Sequence, residues 1–320
     1  SRLMNSTRKL WIGLAVLLIA SFSVLLWVGS ETYRQAPPMP EQVVSTDGSV
    51  IYTRKDIETG RQVWQSIGGQ QLGSIWGHGG YVAPDWSADW LHREAEGILD
   101  IWAKREHGVD SYKKLDEATQ AGYAKRVQRV MRPNSHDPAT GTITLDADRA
   151  VAIASVAGHY QRLFSNDEST AVLREAYAMR NNTVPDAEHR RQLTAFYWWA
   201  AWASITERPG SDITYTANWP HDELVGNTPS TNLFMWTVFS VLFLIAGIGL
   251  LGWHYAVNHG DEMVPVLPKK DPLASIKVTP SMKATAKYFW VVIALFLVQI
   301  LLGATTAHYQ VEGQDAYGFA

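Results

Sequence analysis

The chain contains no cysteine. Disulfides, thiolate-bound zinc, iron–sulfur clusters and the C-x-x-C-H attachment of a c-type haem are therefore all excluded within it. A marked charge of either sign is also missing: 28 Lys and Arg against 31 Asp and Glu leave a formal net charge of −3. That balance gives no reason to expect nucleic acid as a partner. Internal repeats and low-complexity tracts are absent too. No strand pattern precedes the glycine-rich stretch at 73–80 and no Lys-Ser/Thr follows it, so a phosphate-cradling loop has little support. What is present is a chain of 320 residues, long enough for more than one domain. It carries 14 tryptophans, and its mean hydropathy of −0.13 averages very unequal parts.

Three stretches are long and apolar enough to cross a bilayer: Leu10 to Val28, Leu233 to Tyr255, and Tyr288 to Ala307. The first has no charge, and no small-x-small cleavage site precedes Glu31, so an anchor fits better than a signal peptide. Arg2, Arg8 and Lys9 precede the first span, and Lys269, Lys270, Lys277, Lys283 and Lys287 lie in or beside the link between the second and third. Both regions are expected on the cytoplasmic side. The chain thus divides into a cytoplasmic N-terminus (1–9), a first transmembrane helix (10–29) and an outer hydrophilic domain (31–230). A second helix (232–256), a cytoplasmic loop (257–284), a third helix (285–307) and a short outer segment (308–320) follow. In a bacterium the outer domain is periplasmic and the membrane is the inner one.

Within the outer domain, "APPMPEQ" reads as a proline-stiffened linker, followed by a short helix that stops at Gly68-Gly69. Asp85 or Ser87 can cap a helix that buries Leu91, Ala95, Ile98, Leu99 and Trp102 and ends at Gly108. Further helices are expected over 115–131, from Asp146 to about Phe164, around 170–179, and from Pro185 to about Thr206. "DPATGTITLD" suggests a hairpin. The run "AFYWWAAWASI" at 195–205 is too short to span and is bracketed by Arg190, Arg191, Glu207 and Arg208, so it is expected either in the core or on a face resting against the membrane part below.

His308 and Glu312 stand four residues apart just past the third span, where a continuing helix would stack them on one face. Such a pair can hydrogen-bond the head group of a lipid-soluble ligand and accept its protons, as quinol oxidation requires. From spacing alone, an interfacial His–Glu contact without a ligand is the simpler explanation. His254, at the other end of the second span, has the residue type for haem ligation and also for ordinary interfacial solvation. Gln299, Gly303 and Thr306 form a polar and small stripe suited to packing against further transmembrane helices. In "GSIWGHGGYVAPDWSADWLHRE", residues 73–94, His78 and His92 with Asp85 or Asp89 are metal-ligand types, but nothing in their spacing demands a metal. Asp85 and Asp89 also suit the positive end of a helix dipole.

Three stretches carry a resemblance: "GSIWGHGGYVAPDWSADWLHREAEGILDIWA", "FYWWAAWASITERPGSDITYTANWPHDELVGNTPS" and "LGATTAHYQVEGQ". In this order they resemble the quinol-dependent nitric oxide reductases of bacteria, a branch of the haem–copper oxidase superfamily. The resemblance implies an all-α membrane protein: three transmembrane helices in this chain, with a mainly helical, cytochrome c-like, haem-free periplasmic domain between the first and second. It implies reduction of nitric oxide to nitrous oxide with electrons from membrane quinol. It places His308 and Glu312 at the quinol site, and Gly79 and Tyr81 on a loop facing haem propionates. The implied cofactors are haem b, haem b3 and non-haem iron, with ligands beyond residue 320, so no metal or catalytic residue is assigned within the chain. The implied partners are quinol, nitric oxide, the lipid bilayer and the remaining transmembrane bundle, with a homodimer through transmembrane helices compatible. Two readings from other classes fit the same hydropathy: a membrane receptor or sensor with a ligand-binding outer domain, and a structural protein that only scaffolds an oxidase complex.

Overall fold

A computed structural model describes residues 2–80, 82–229, 231–259 and 277–309. Its helices are α1 (Arg2–Arg34), α2 (Arg54–Ser66), α3 (Gly69–Leu72), α4 (Trp86–His107), α5 (Glu117–Met131), α6 (Ala147–Leu163), α7 (Ala171–Ala176), α8 (Ala187–Ile205), α9 (Thr231–His259) and α10 (Pro280–Tyr309). Six short strands are β1 (Gln42–Ser45), β2 (Val50–Thr53), β3 (Ser74–Ile75), β4 (His78–Gly79), β5 (His136–Asp137) and β6 (Thr142–Leu145). The chain forms two compact units. The first gathers Ser1–Lys55, Trp86–Val156 and Tyr197–Asn227; the second gathers Asp56–Asp85, Ala157–Phe196 and Thr228–Ala320. Helices α6 and α8 contribute residues to both.

In the first unit, α4 buries Trp86, Trp90, Leu91, Ala95, Ile98, Leu99 and Trp102 along one face. Lys104, Arg105 and His107 in its last turn complement the helix dipole. Gly108, at φ 68°, supplies the left-handed residue that ends it. Helix α5 opens on Asp116, whose carboxylate accepts the Thr119 amide at 3.1 Å. Helix α6 opens behind Asp146, which accepts the Asp148 amide at 2.9 Å. Gly97 lets α4 and α6 approach closely, since a Cβ there would lie 3.3 Å from the Ala152 Cβ. Beside this contact Glu94 and Arg149 form an ion pair at 2.6 Å, with side chains only 1% and 3% exposed. The Trp90 indole donates to the other Glu94 oxygen at 2.8 Å. A buried pair of this kind contributes little net stability, but removing one partner costs about 3–5 kcal/mol, so it holds α4 and α6 in one register.

A four-stranded sheet has the order β2-β1-β6-β5. Strands β1 and β6 pair in parallel, from Gln42 opposite Thr142 to Ser45 opposite Leu145; the two outer pairings are antiparallel. The β5–β6 hairpin, from His136 to Leu145, agrees within one residue with the turn-rich stretch at 137–146. Strands β1 and β2 add a second hairpin between the expected proline-rich linker and the expected short helix. The helix expected around 170–179 is shortened to α7 by a preceding 3₁₀ turn at Glu168–Thr170 and by Ala178, whose φ of 50° cannot continue a helix.

The run at 195–205 is buried at every position. In the first unit Tyr197 stacks on Trp86, with centroids 5.6 Å apart, and Trp198 packs on Tyr52 at 5.8 Å. Burial pushes the Tyr197 hydroxyl well above its ordinary pKa. In the second unit Phe196 packs on Trp64 at 5.6 Å, and a Cβ on Gly60 would collide with the Gln192 carbonyl. Among the described residues three helices are long and apolar enough to cross a membrane: Trp11–Arg34, Phe234–Val257 and Pro280–Leu302, with mean hydropathies of 2.4, 2.3 and 2.0. No residue of their most apolar windows is buried by the described residues.

Candidate functional site

The stretch richest in candidate residues, 73–85, lies wholly in the second unit. Helix α2 stops at Ser66, and Gly68 turns the chain through φ 67°, ψ 38° into the single turn of α3. Strands β3 and β4 then pair, Ile75 opposite His78, across a two-residue turn of Trp76 and Gly77. Both turn residues have positive φ, 53° and 78°, as a type I′ hairpin turn requires. Tryptophan is an unusual occupant of the first position, where Asn, Asp or Gly is favoured. The turn is held from outside: an Asp85 oxygen accepts the Gly77 amide at 2.6 Å and the Ser74 hydroxyl at 2.8 Å.

The returning chain is bonded along the other edge. The Gly80 amide donates to the Gln70 carbonyl at 2.5 Å, and the Ala83 amide to the Leu72 carbonyl at 2.8 Å. Gly79 has φ 144°, and a Cβ there would come within 2.5 Å of the Gly73 carbonyl oxygen. At Gly80 a Cβ would come within 2.8 Å of the Gln71 carbonyl oxygen. These glycines are therefore demanded by the loop's own backbone. His78, Gly79 and Val82 remain exposed along its outer edge, Val82 at 59%. Tyr81 lies outside the described residues.

The other metal-type residues of this stretch are occupied locally. In the first unit His92 directs Nδ1 to Asp222 at 2.8 Å and Nε2 toward Glu96 at 3.4 Å, so its two nitrogens face different carboxylates. Asp89 accepts the Arg93 guanidinium at 2.7 Å. Among the described residues no three His, Asp or Glu side chains converge closely enough to hold a metal ion. Asp85 thus serves the loop, a role that its distance from Ser74 and Gly77 in sequence conceals.

His308 lies in the last turn of α10, which is described to Tyr309; Glu312 lies outside the described residues. Gln299, Gly303 and Thr306 share the same helix, and His254 lies near the end of α9.

The second resembling stretch contains an arrangement that sequence reasoning missed. Residues 206–227 form no long element yet are densely bonded within the first unit. Arg132 donates to Glu207 at 2.9 Å and to the Gly226 carbonyl at 2.5 Å. The Asn227 amide group donates to the Ser204 and Pro220 carbonyls, and Asn134 donates to the Tyr215 hydroxyl at 2.9 Å. Asp222 accepts the Leu224 amide, and its own amide donates to Asn227. The richness in Asn, Asp, Pro and Gly signals turns, but the partners in α5 and beyond are too distant in sequence to be read from it.

A family model for the cytochrome c-like domain of the nitric oxide reductase protein NorB matches residues 40–221, more than half of the chain. No curated protein matches the chain.

Proposed function

The chain belongs to the NorB cytochrome c-like family of nitric oxide reductases, and from that premise we propose that it supplies the outer domain and part of the quinol site of a quinol-oxidising nitric oxide reductase. A cytochrome c-like domain between α1 and α9, in a protein with three helices able to span a membrane, makes this a multi-pass membrane oxidoreductase of that family. The observation that carries the finer reading is the absence of cysteine from that domain. A cytochrome c-like fold without cysteine has no thioether anchor for haem c, so electrons must enter by another donor. A lipid-soluble donor that meets the protein at the membrane surface fits, and α10 carries His308 to the end of its apolar stretch.

The overall reaction, two nitric oxide molecules and one quinol giving nitrous oxide, water and quinone, balances two electrons and two protons. Neutral imidazole at His308 and carboxylate at Glu312 are the groups we assign to hold the quinol hydroxyls and take their protons. Haem b, haem b3 and non-haem iron would supply the nitric oxide chemistry. Following the resemblance, we assign their ligands to residues beyond 320. The exposed edge at His78, Gly79 and Val82 suits a loop that lies against another part of the enzyme, and we assign Gly79 and Tyr81 to face the haem propionates. Arg2, Arg8, Lys9, Lys277, Lys283 and Lys287 support an orientation with the domain in the periplasm of a bacterial inner membrane.

The test is His308→Ala and Glu312→Ala in the complete enzyme. Removing a proton acceptor should slow quinol-driven turnover by about 10²-fold or more, with haem content and turnover from an artificial reductant unchanged. Unaltered quinol kinetics in both variants would refute the assignment.

A further inference from the structure

We propose that Arg208 and Trp199 tie the outer end of α1 to helix α8 and to the segment leading toward α9, so that the outer domain is fixed to its first span rather than tethered to it. The proposal rests only on α1 being a membrane span, not on the identity of the electron donor. All the groups involved lie in the first unit.

The link between α1 and β1 is rich in proline, and by composition it is a stiff spacer with reach but no fixed direction. In the structure its carbonyl groups are engaged one after another. Proline lacks an N–H but keeps its acceptor, and the Trp199 indole donates to the Pro38 carbonyl at 3.0 Å. The Arg54 guanidinium donates to the Met39 carbonyl at 2.8 Å and to the Glu41 carboxylate at 2.9 Å. Pro40 is buried.

One turn earlier, Gln35 bridges two charged groups. Its amide nitrogen donates to Glu31 at 2.9 Å, and its amide oxygen accepts a hydrogen bond from Arg208. The same guanidinium donates to the Tyr215 carbonyl at 3.0 Å, and the Arg208 amide to the Ile213 carbonyl at 3.0 Å. Tyr215 in turn donates its amide to the Thr206 carbonyl, closing a narrow loop at the end of α8. Arg208 is half-buried, and that burial lowers its pKa. Desolvating a guanidinium against an amide and a backbone carbonyl is expensive for an incidental surface contact. It is understandable as a fastening, because each partner belongs to a different stretch: the residue just past α1 on one side and the approach to α9 on the other.

These 320 residues contain no cysteine, so labels can be placed within them site by site once any cysteine elsewhere in the full-length protein has been replaced. Tyr33, 89% exposed at the end of α1, and Val151, 60% exposed on α6, can be replaced by cysteine and spin-labelled in the full-length protein in lipid nanodiscs. The parent should give one narrow inter-label distance. Gln35→Ala alters only an exposed side chain and should broaden the distribution; the exchange Glu31→Gln with Gln35→Glu, which keeps a donor at 31 facing an acceptor at 35 and leaves that acceptor for Arg208, should leave it narrow. Arg208→Ala should broaden it further and raise amide exchange over 206–215 by about tenfold or more, as expected for losing a charged hydrogen bond. Trp199→Phe, which removes only the indole donor, should broaden it as well. A broad parent distribution, or a Gln35→Ala distribution as narrow as the parent's, would overturn the proposal. So would broadening in Arg208→Ala alone, because Arg208 would then act only inside the domain.

Discussion

Helices α8 and α9 each carry an uncharged, tryptophan-containing apolar run, yet the two end in opposite surroundings. In α8 the run at 195–205 is buried at every position; in α9 the spanning window from Phe234 to Val257 is covered nowhere within the described residues. Hydropathy separates them, since the α9 window averages 2.3 while tyrosine, serine and three tryptophans dilute the shorter run. Length separates them further: at 1.5 Å per residue the first run covers about 16 Å, roughly half of a bilayer's hydrocarbon core, whereas the second exceeds its full thickness of about 30 Å. Punctuation agrees, since Arg190, Arg191, Glu207 and Arg208 bracket the short run. The composition differs as well. Alanines between the rings of α8 leave room for interdigitation with Trp86, Tyr52 and Trp64, while α9 is filled with leucine, isoleucine and phenylalanine that need no specific partner.

The sharpest way to break this contrast is to place the same charge in both helices. Ala200 is fully buried, so Ala200→Asp should abolish the folded outer domain, seen as loss of its near-ultraviolet circular dichroism. Ala246→Asp in α9 should cost about 2.5–3.5 kcal/mol in membrane insertion and leave the outer-domain signal intact. Equal effects at the two sites would erase the distinction. A smaller effect comes from truncating rings. Trp198→Ala should lower outer-domain stability in denaturant by about 3–5 kcal/mol. Phe243→Ala, at a position 75% exposed on α9, should leave it unchanged.

The smallest effect is set by pH and should appear only on the domain side. The Arg105 guanidinium, together with the Trp102 indole, holds the Asp148 carboxyl below its usual pKa, and Arg126 with Tyr123 does the same for Glu106. With folded pKa values depressed, their stabilisation is complete above the unfolded values of about 3.9 and 4.3, and it is lost as pH falls through the folded ones. Burial lowers the His136 pKa, so its neutral form is favoured on folding. Stability should therefore begin to fall as pH drops below about 6.5, the unfolded histidine value. The α9 run from Phe234 to Trp253 has no ionisable side chain and should add no pH dependence. Chemical denaturation between neutral and acid pH would expose the trend, and a flat profile would contradict it.

The helices were legible because their signals are local. Asp146 and Gly108 mark ends by side-chain capping and by a left-handed turn, and the buried face of α4 repeats at helical spacing. The strands were less legible, although Asp47-Gly48 between "QVVS" and "VIYT" is a turn signal that could have revealed the β1–β2 hairpin. The parallel pairing of β1 with β6 has no such marker, being fixed by a crossover of nearly one hundred residues. In the candidate loop the glycines announced a tight backbone, but Trp-Gly is not a recognised hairpin pair, and the hold of Asp85 on Ser74 and Gly77 is a tertiary fact. The Glu94–Arg149 pair was hidden for the same reason: each residue alone reads as solvated helix surface.

That parallel pairing also sets an order in time. Strand β1 is synthesised first, and its β2 partner follows within a few residues, but its other edge must wait until β6 has been made. Until then the future centre of a sheet is an open edge, the kind of surface that invites wrong pairing. Proline ahead of it and a four-residue length keep that edge short. The domain is thus a structure whose first-made strand gains its second partner only near residue 142, and its folding should be most vulnerable to a pause in synthesis between residues 53 and 142.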